Sequence, residues 1–191
     1  VAPEFFESGI ASFAGGDLTV TAGGNLRDLS LATASSGKQI GGTTRATSQV
    51  LQGAGGDLEV DVGGSILGGV FYGGGMHGTL AAGGRIGAER ALAPGSDSEL
   101  FPVLALGAAQ MQLRATGPID LGGVVNPTFI PQGPFQKRVG LNRENNSYFV
   151  TYGVDAGVFL QALGGNITLH DSALLEAGAF ETDFGLPVDS A

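Results

Sequence analysis

The stretch GGDLTVTAGGNL, Gly15 to Leu26, returns in looser form as GGDLEVDVGGSI, Gly55 to Ile66. Each copy places three apolar residues at alternating positions, then a glycine pair, one variable residue and a single aliphatic residue. Thus Leu18, Val20 and Ala22 lead to Leu26, and Leu58, Val60 and Val62 lead to Ile66. Period-two alternation specifies a strand with one buried and one wet face. So short a strand cannot bury a face alone, and copies must cover one another. Three further copies follow. Leu80 and Ala82 lead to Ile86, and Met111, Leu113 and Ala115 lead to Ile119, with Gly-Pro in place of Gly-Gly. In FLQALGGNI, Phe159 and Leu163 lead to Ile167, with Gln161 at the middle inward position. The closing residues lie 40, 20, 33 and 48 positions apart (66−26, 86−66, 119−86, 167−119). These intervals read as a 20-residue unit, its double, and two units lengthened by insertions. Such a period is the signature of a solenoid, and a parallel β-helix of about six to eight coils is expected. The paired glycines would let the backbone reverse at φ > 0. An antiparallel sandwich with Gly-rich hairpins also fits alternating strands. It is disfavoured because the turn-plus-aliphatic spacing persists where the strand residues change.

Two segments break the rhythm. GAERALAPGSDSELFPVL (87–104) follows the third copy, and 124–147 carries Pro127, Pro131 and Pro134. Prolines that close together deny a ladder its N–H donors, so both segments are expected to be loop insertions. Helix signals are weak: Ser96 to Leu113 is interrupted by Pro102, and His170 to Phe180 is short. The 35 glycines among 191 residues make long helices costly, at about 1 kcal/mol for each interior glycine. An apolar content of 42% is nevertheless too high for a disordered chain.

The repeats GGDLTVTAGGNL, GGDLEVDVGGSI and AAGGRIGA, with SYFVTYGVDAGVFLQALGGNITL (147–169), resemble the Gly-rich coils of the filamentous haemagglutinin family. These are large bacterial exoproteins exported by two-partner secretion. The resemblance covers about two-thirds of the chain and is weakest in the two insertions. It implies a right-handed β-helix, an extracellular or bacterial cell-surface location, and a role in adhesion, aggregation or scaffolding. It transfers no catalytic residue. The chain opens VAPEFFESG, with neither an initiator Met nor a signal sequence, and the family's secretion domain is not evident. The expected fold is therefore all-β, a right-handed parallel β-helix with loop insertions. It forms one domain over 1–191, read as a piece of a longer exoprotein.

Composition narrows the chemistry. The absence of cysteine removes disulfides, thiolate catalysis and Cys-based zinc sites. A net charge of −9 disfavours nucleic acid, which needs clustered Lys and Arg. No apolar run approaches the ~18 residues of a membrane helix. GGGMHG (Gly73 to Gly78) satisfies G-x-G-x-x-G, but another repeat follows where a dinucleotide site needs a helix, so a turn is expected. Asp17 and Asp57 follow Gly-Gly without the third glycine of a calcium nonapeptide, and read as aspartates capping backbone N–H groups. His77 and His170 would need to converge with carboxylates to hold zinc, and solvated turn positions suit them better. No serine lies in G-x-S-x-G. No cofactor or metal is expected.

Phe135, Lys137, Arg138 and Arg143 form the one basic-aromatic cluster, suited to an acidic glycan or a partner's carboxylates. The expected function is non-enzymatic: a stiff scaffold presenting loops to host or bacterial surfaces, with glycans among the candidate ligands. Solenoid ends expose unpaired strands, so end-to-end or lateral self-association is a second expectation. Phe5, Phe6 and Phe13 in PEFFESGIASF are a candidate cap or contact surface. The alternative class is a carbohydrate-active β-helix, a polysaccharide lyase or hydrolase. It would need carboxylates such as Asp155 and Asp171 to converge with an arginine in one groove.

Overall fold

The computed structural model describes residues 9–13, 15–34, 36–40, 49–53, 55–90, 99–125 and 153–170. Among them every regular element is a strand, numbered β1 to β19 along the chain. The chain is a parallel β-helix with three sheets. The first, sheet A, stacks β1 (Gly9–Phe13), β4 (Ser30–Ala34), β9 (Val70–Gly73), β14 (Val103–Leu106) and β17 (Gly123–Val125). Sheet B stacks β2 (Leu18–Ala22), β7 (Leu58–Val62), β10 (His77–Ala82), β15 (Gln110–Ala115) and β18 (Gly157–Ala162). Sheet C stacks β3 (Leu26–Arg27), β8 (Ile66–Leu67), β11 (Ile86–Gly87), β16 (Ile119–Leu121) and β19 (Ile167–Leu169). Every pairing within these sheets is parallel, and a coil runs B to C to A before the next begins.

The register turns the repeat into columns. Leu18, Leu58, Gly78, Met111 and Val158 occupy one inward column of sheet B, and Val20, Val60, Leu80, Leu113 and Leu160 the next. Leu26, Ile66, Ile86, Ile119 and Ile167 form the closing column in sheet C. Its middle three members are fully buried. Burying one such side chain stabilises the fold by about 1.5–3 kcal/mol, so the core rests on these stacked rows. Glycine at position 78 leaves room that Met111 fills, its sulfur also lying where a Cβ on Gly73 would come within 3.0 Å. A flexible thioether suits that irregular gap.

Sheet A departs from simple alternation. Leu31, Phe71 and Leu104 point inward and are fully buried, yet their neighbours Ala32, Tyr72 and Ala105 are buried too. With Ala34, Ala11 and Val125 these form a second apolar cluster separate from the main core. Sheet A is thus closed on both faces, the condition in which strands read as continuous apolar runs such as Val103-Leu104-Ala105-Leu106. Thr33, the one buried polar residue among those described, donates from Oγ1 to the Tyr72 carbonyl at 3.3 Å.

Several expectations change. The 40-residue interval between Leu26 and Ile66 is not two coils, because β2 pairs directly with β7. The extra length is an antiparallel hairpin, β5 (Ser36–Ile40) with β6 (Gln49–Gly53). The insertion expected at 87–104 occupies 88–102: Gly87 closes β11, the pair β12 (Glu89–Arg90) and β13 (Glu99–Leu100) is antiparallel, and the stack resumes at Val103. Val124 and Val125 belong to β17, and 126–147 lies outside the described residues. The segment Ser96 to Leu113 contributes strands to the stack in place of a helix, and 171–180 lies outside the description. Gly9 to Phe13 forms the first described rung of sheet A, and Phe5 and Phe6 of the candidate cap or contact surface lie outside the described residues.

The last copy is read one residue out of phase by the sequence pattern. Val158, Leu160 and Ala162 stack on Met111, Leu113 and Ala115, while Phe159 and Leu163 are 62% and 64% exposed and Gln161 faces out. The cause is one extra turn residue. Ala115 precedes Ile119 by four positions, but Ala162 precedes Ile167 by five. Gly165 absorbs the surplus at φ 129°, with Pro118 only 3.0 Å from where its Cβ would be. A one-residue shift in a strand exchanges its two faces.

The paired glycines also serve a different end from chain reversal. Gly63, Gly64, Gly83 and Gly84 are absent from the positive-φ set. A Cβ on Gly63 would stand 2.7 Å from the Gly23 carbonyl oxygen, and one on Gly83 would run into the Gly63 carbonyl. Glycine is required there because the coil below passes so close.

Candidate interaction surface

Each coil has three corners, and they are not treated alike. The corner from B to C stays short in every coil, from Gly23-Gly24-Asn25 to Leu163-Gly164-Gly165-Asn166. The hairpin β5–β6 leaves at the corner from A to B between β4 and β7, and the interval 126–156 separates β17 from β18 at the same corner. The β12–β13 excursion leaves at the corner from C to A. The two described excursions are therefore rooted at the two margins of sheet A, where the interval 126–156 also falls.

Polar side chains stitch the corners of successive coils. Asp17 Oδ1 accepts from the Asp57 N–H at 2.9 Å, and Asp57 Oδ1 accepts from Met76 and His77 N–H at 3.2 and 3.0 Å. Asn25 Oδ1 accepts from Ser65 N–H at 2.8 Å, and Ser65 Oγ accepts from Arg85 N–H at 3.1 Å. The aspartates do cap backbone N–H groups, and the groups they cap belong to the next coil. The β12–β13 excursion is anchored by Arg27 Nη1 to Glu89 Oε2 at 3.0 Å. Its Phe101 ring lies 4.3 Å from that of His170, tilted by 31°.

Sheet B offers the broad accessible face. Its outward columns run Thr19, Glu59, Thr79, Gln112, Phe159 and Thr21, Asp61, Ala81, Arg114, Gln161. Arg114 Nε donates to Gln161 Oε1 at 2.9 Å, beside the exposed Phe159 ring. This group escapes the sequence pattern because the glycine spacing puts Phe159 in the core. The competing phase Val158-Leu160-Ala162 is the signal that could reveal it.

Phe135, Lys137, Arg138 and Arg143 lie outside the described residues, as do Asp171, Glu176, Glu181 and Asp183. Asp155 is exposed in the turn before β18. His77 is exposed at the start of β10, its Nδ1 3.7 Å from Asp57 Oδ2. Among the described residues no group of three or more His, Asp or Glu side chains is placed to hold a metal ion. No described helix is long and apolar enough to cross a membrane. No protein-family model, curated protein or solved structure matches the chain.

Proposed function

We propose that this protein is a structural and adhesive segment of a secreted bacterial surface exoprotein, in which stacked coils form a stiff support and the insertions carry recognition. The observation that supports this reading most directly is the confinement of the two described excursions to the margins of sheet A. Strand ladders, a stacked aliphatic core and corner hydrogen bonds account for the repeat without assigning it chemistry. The side chains of sheet B that take no part in the stacked core lie on its outward face. Segments rooted along one side of a rod are displayed together, so several weak contacts with a surface glycan or receptor add through effective concentration. In this reading the cluster of Phe135, Lys137, Arg138 and Arg143 supplies a cationic and aromatic contact for acidic sugars.

The test is retention on bacterial and host cell surfaces, with the 191-residue chain compared to variants lacking single excursions. Deleting 35–54, so that Ala34 joins Gly55 with the spacing that Gly74 and Gly75 have in the next coil, should keep the β-sheet circular dichroism signal, because β2 already pairs with β7. Binding should fall for at least one excursion-deleted variant that remains folded. Equal binding by every such variant, or no surface retention of the intact chain, would refute the assignment.

A further inference from the structure

The outward face of sheet B carries charges in an order that its own chain does not use. Its rungs present Thr19 and Thr21 on β2, Glu59 and Asp61 on β7, Thr79 and Ala81 on β10, Gln112 and Arg114 on β15, and Phe159 and Gln161 on β18. All are exposed except Ala81, which is half-buried. Two acids thus lie one rung to one side of β10, and an amide and an arginine one rung to the other. Glu59, Asp61 and Arg114 form no ion pair with any described residue. Asp61 and Arg114 share a column but stand two rungs apart, about 9.6 Å at the usual strand spacing and too far to pair within one chain. Arg114 is nonetheless held in place, its Nε donating to Gln161 Oε1 at 2.9 Å.

Two such faces can pack against each other with two-fold symmetry in two ways. With the dyad along the stack, each rung meets its own copy, and Glu59 of one chain faces Asp61 of the other. Like charges set opposite one another disfavour that arrangement. With the dyad along β10, the chains run antiparallel, and each column faces itself with its rungs reversed. Asp61 then faces Arg114 of the second copy, and the symmetry makes that contact twice. Glu59 faces Gln112, Thr21 faces Gln161 and Thr19 faces Phe159. The small side chains of Thr79 and Ala81 lie beside the dyad, where the two sheets must approach.

We infer that the outward face of sheet B binds a second copy of the chain in antiparallel, two-fold register about β10, with Asp61 and Arg114 pairing reciprocally between the copies. A two-fold contact uses the same patch on both partners and closes at the dimer. Its register is set by β7, β10 and β15, so coils before β2 or beyond β18 would leave it unchanged. Five rungs at ~4.8 Å and five residues at ~3.3 Å give about 400 Å² on each copy, the scale of a weak, concentration-dependent complex. The contact goes beyond the adhesion reading and makes no use of the excursions, so its failure leaves that reading to its own test.

The experiment follows the 191-residue chain by sedimentation velocity at rising concentration and low salt, together with Asp61→Arg, Arg114→Asp and the double variant. The wild type should pass from 19.1 kDa to twice that mass and no further. Each single variant opposes like charges at both symmetric contacts, so its association should weaken by about tenfold or more. Its thermal melt should stay close to wild type, because both positions are exposed. Asp61→Asn and Arg114→Gln, milder changes at the same positions, should each weaken association a few-fold. The double variant restores opposite charges and should dimerise as the wild type does. Mixing the two single variants should yield heterodimers, since the two arginines of one then face the two aspartates of the other. A wild type that stays monomeric at every concentration overturns the inference. So does association indifferent to these changes, or not recovered in the mixture. Tighter association of Asp61→Arg also overturns it, by indicating the parallel arrangement with Glu59 as the new partner.

Discussion

Substitution of Gly63 by alanine tests whether the paired glycines answer to the neighbouring coil or to local backbone conformation. The added Cβ would lie 2.7 Å from the Gly23 carbonyl oxygen, whereas ordinary contact begins at 3.4 Å, so the two coils must part by about 0.7 Å at this corner (3.4−2.7). The bonds that hold the corner run from Gly63 N–H to Ala22 O at 2.8 Å and from Gly64 N–H to Gly24 O at 3.0 Å. Opening the first by that amount carries it to about 3.5 Å (2.8+0.7), beyond the normal range for N–H···O. A weakened backbone bond costs about 0.5–1.5 kcal/mol, and overpacking about 1–3 kcal/mol where the surroundings resist. Alanine returns about 0.4–1 kcal/mol by restricting the unfolded chain. The expected net loss is about 1–3 kcal/mol, or a fall in Tm of about 2–12 °C for a chain of this length. Gly157→Ala is the control, since nothing lies within 4 Å of its Cβ position on the outward side of β18. It should leave Tm unchanged or raise it slightly. Thermal melts followed by circular dichroism decide the matter. A Gly63→Ala protein as stable as Gly157→Ala would refute the close-approach argument.

Ile86→Ala empties a fully buried position at the centre of the closing column, and should cost about 2–5 kcal/mol in urea unfolding. Asp57→Ala removes an acceptor of two backbone N–H groups and should cost about 1 kcal/mol, whereas Asp57→Asn, which keeps the acceptor oxygen, should recover most of it. Phe159→Ser should be nearly neutral in the same assay, while Leu160→Asp should be strongly destabilising; the opposite order would place the wrong face of β18 inward. Replacing Thr33 by valine removes its Oγ1 contact to the Tyr72 carbonyl and should change stability by less than about 1.5 kcal/mol.

Sheet B is legible because one of its faces is wet, and the alternation of Leu58, Val60 and Val62 with Glu59 and Asp61 announces it; sheet C is legible through the aliphatic residue that follows each glycine corner. Sheet A is not. Buried on both sides, its strands Leu31-Ala32-Thr33-Ala34 and Val70-Phe71-Tyr72 carry no period that separates them from any short apolar run. The hairpin β5–β6 is hidden for a different reason, since its length happens to match one repeat and so mimics a coil. In the last copy the glycine pair sets the apparent phase, and the surplus residue absorbed at Gly165 puts that phase off by one. The basic-aromatic cluster is visible only as composition, because no repeat fixes the geometry of an insertion.

The outward columns of sheet B change character at nearly every step: threonine, glutamate, threonine, glutamine, phenylalanine in one, and threonine, aspartate, alanine, arginine, glutamine in the other. The inward columns beside them remain almost wholly aliphatic. Because a strand separates its faces completely, drift on one side leaves the other untouched. Such a wall can be rewritten one letter at a time under selection, each new letter tried against the outside world while the architecture behind it stays the same.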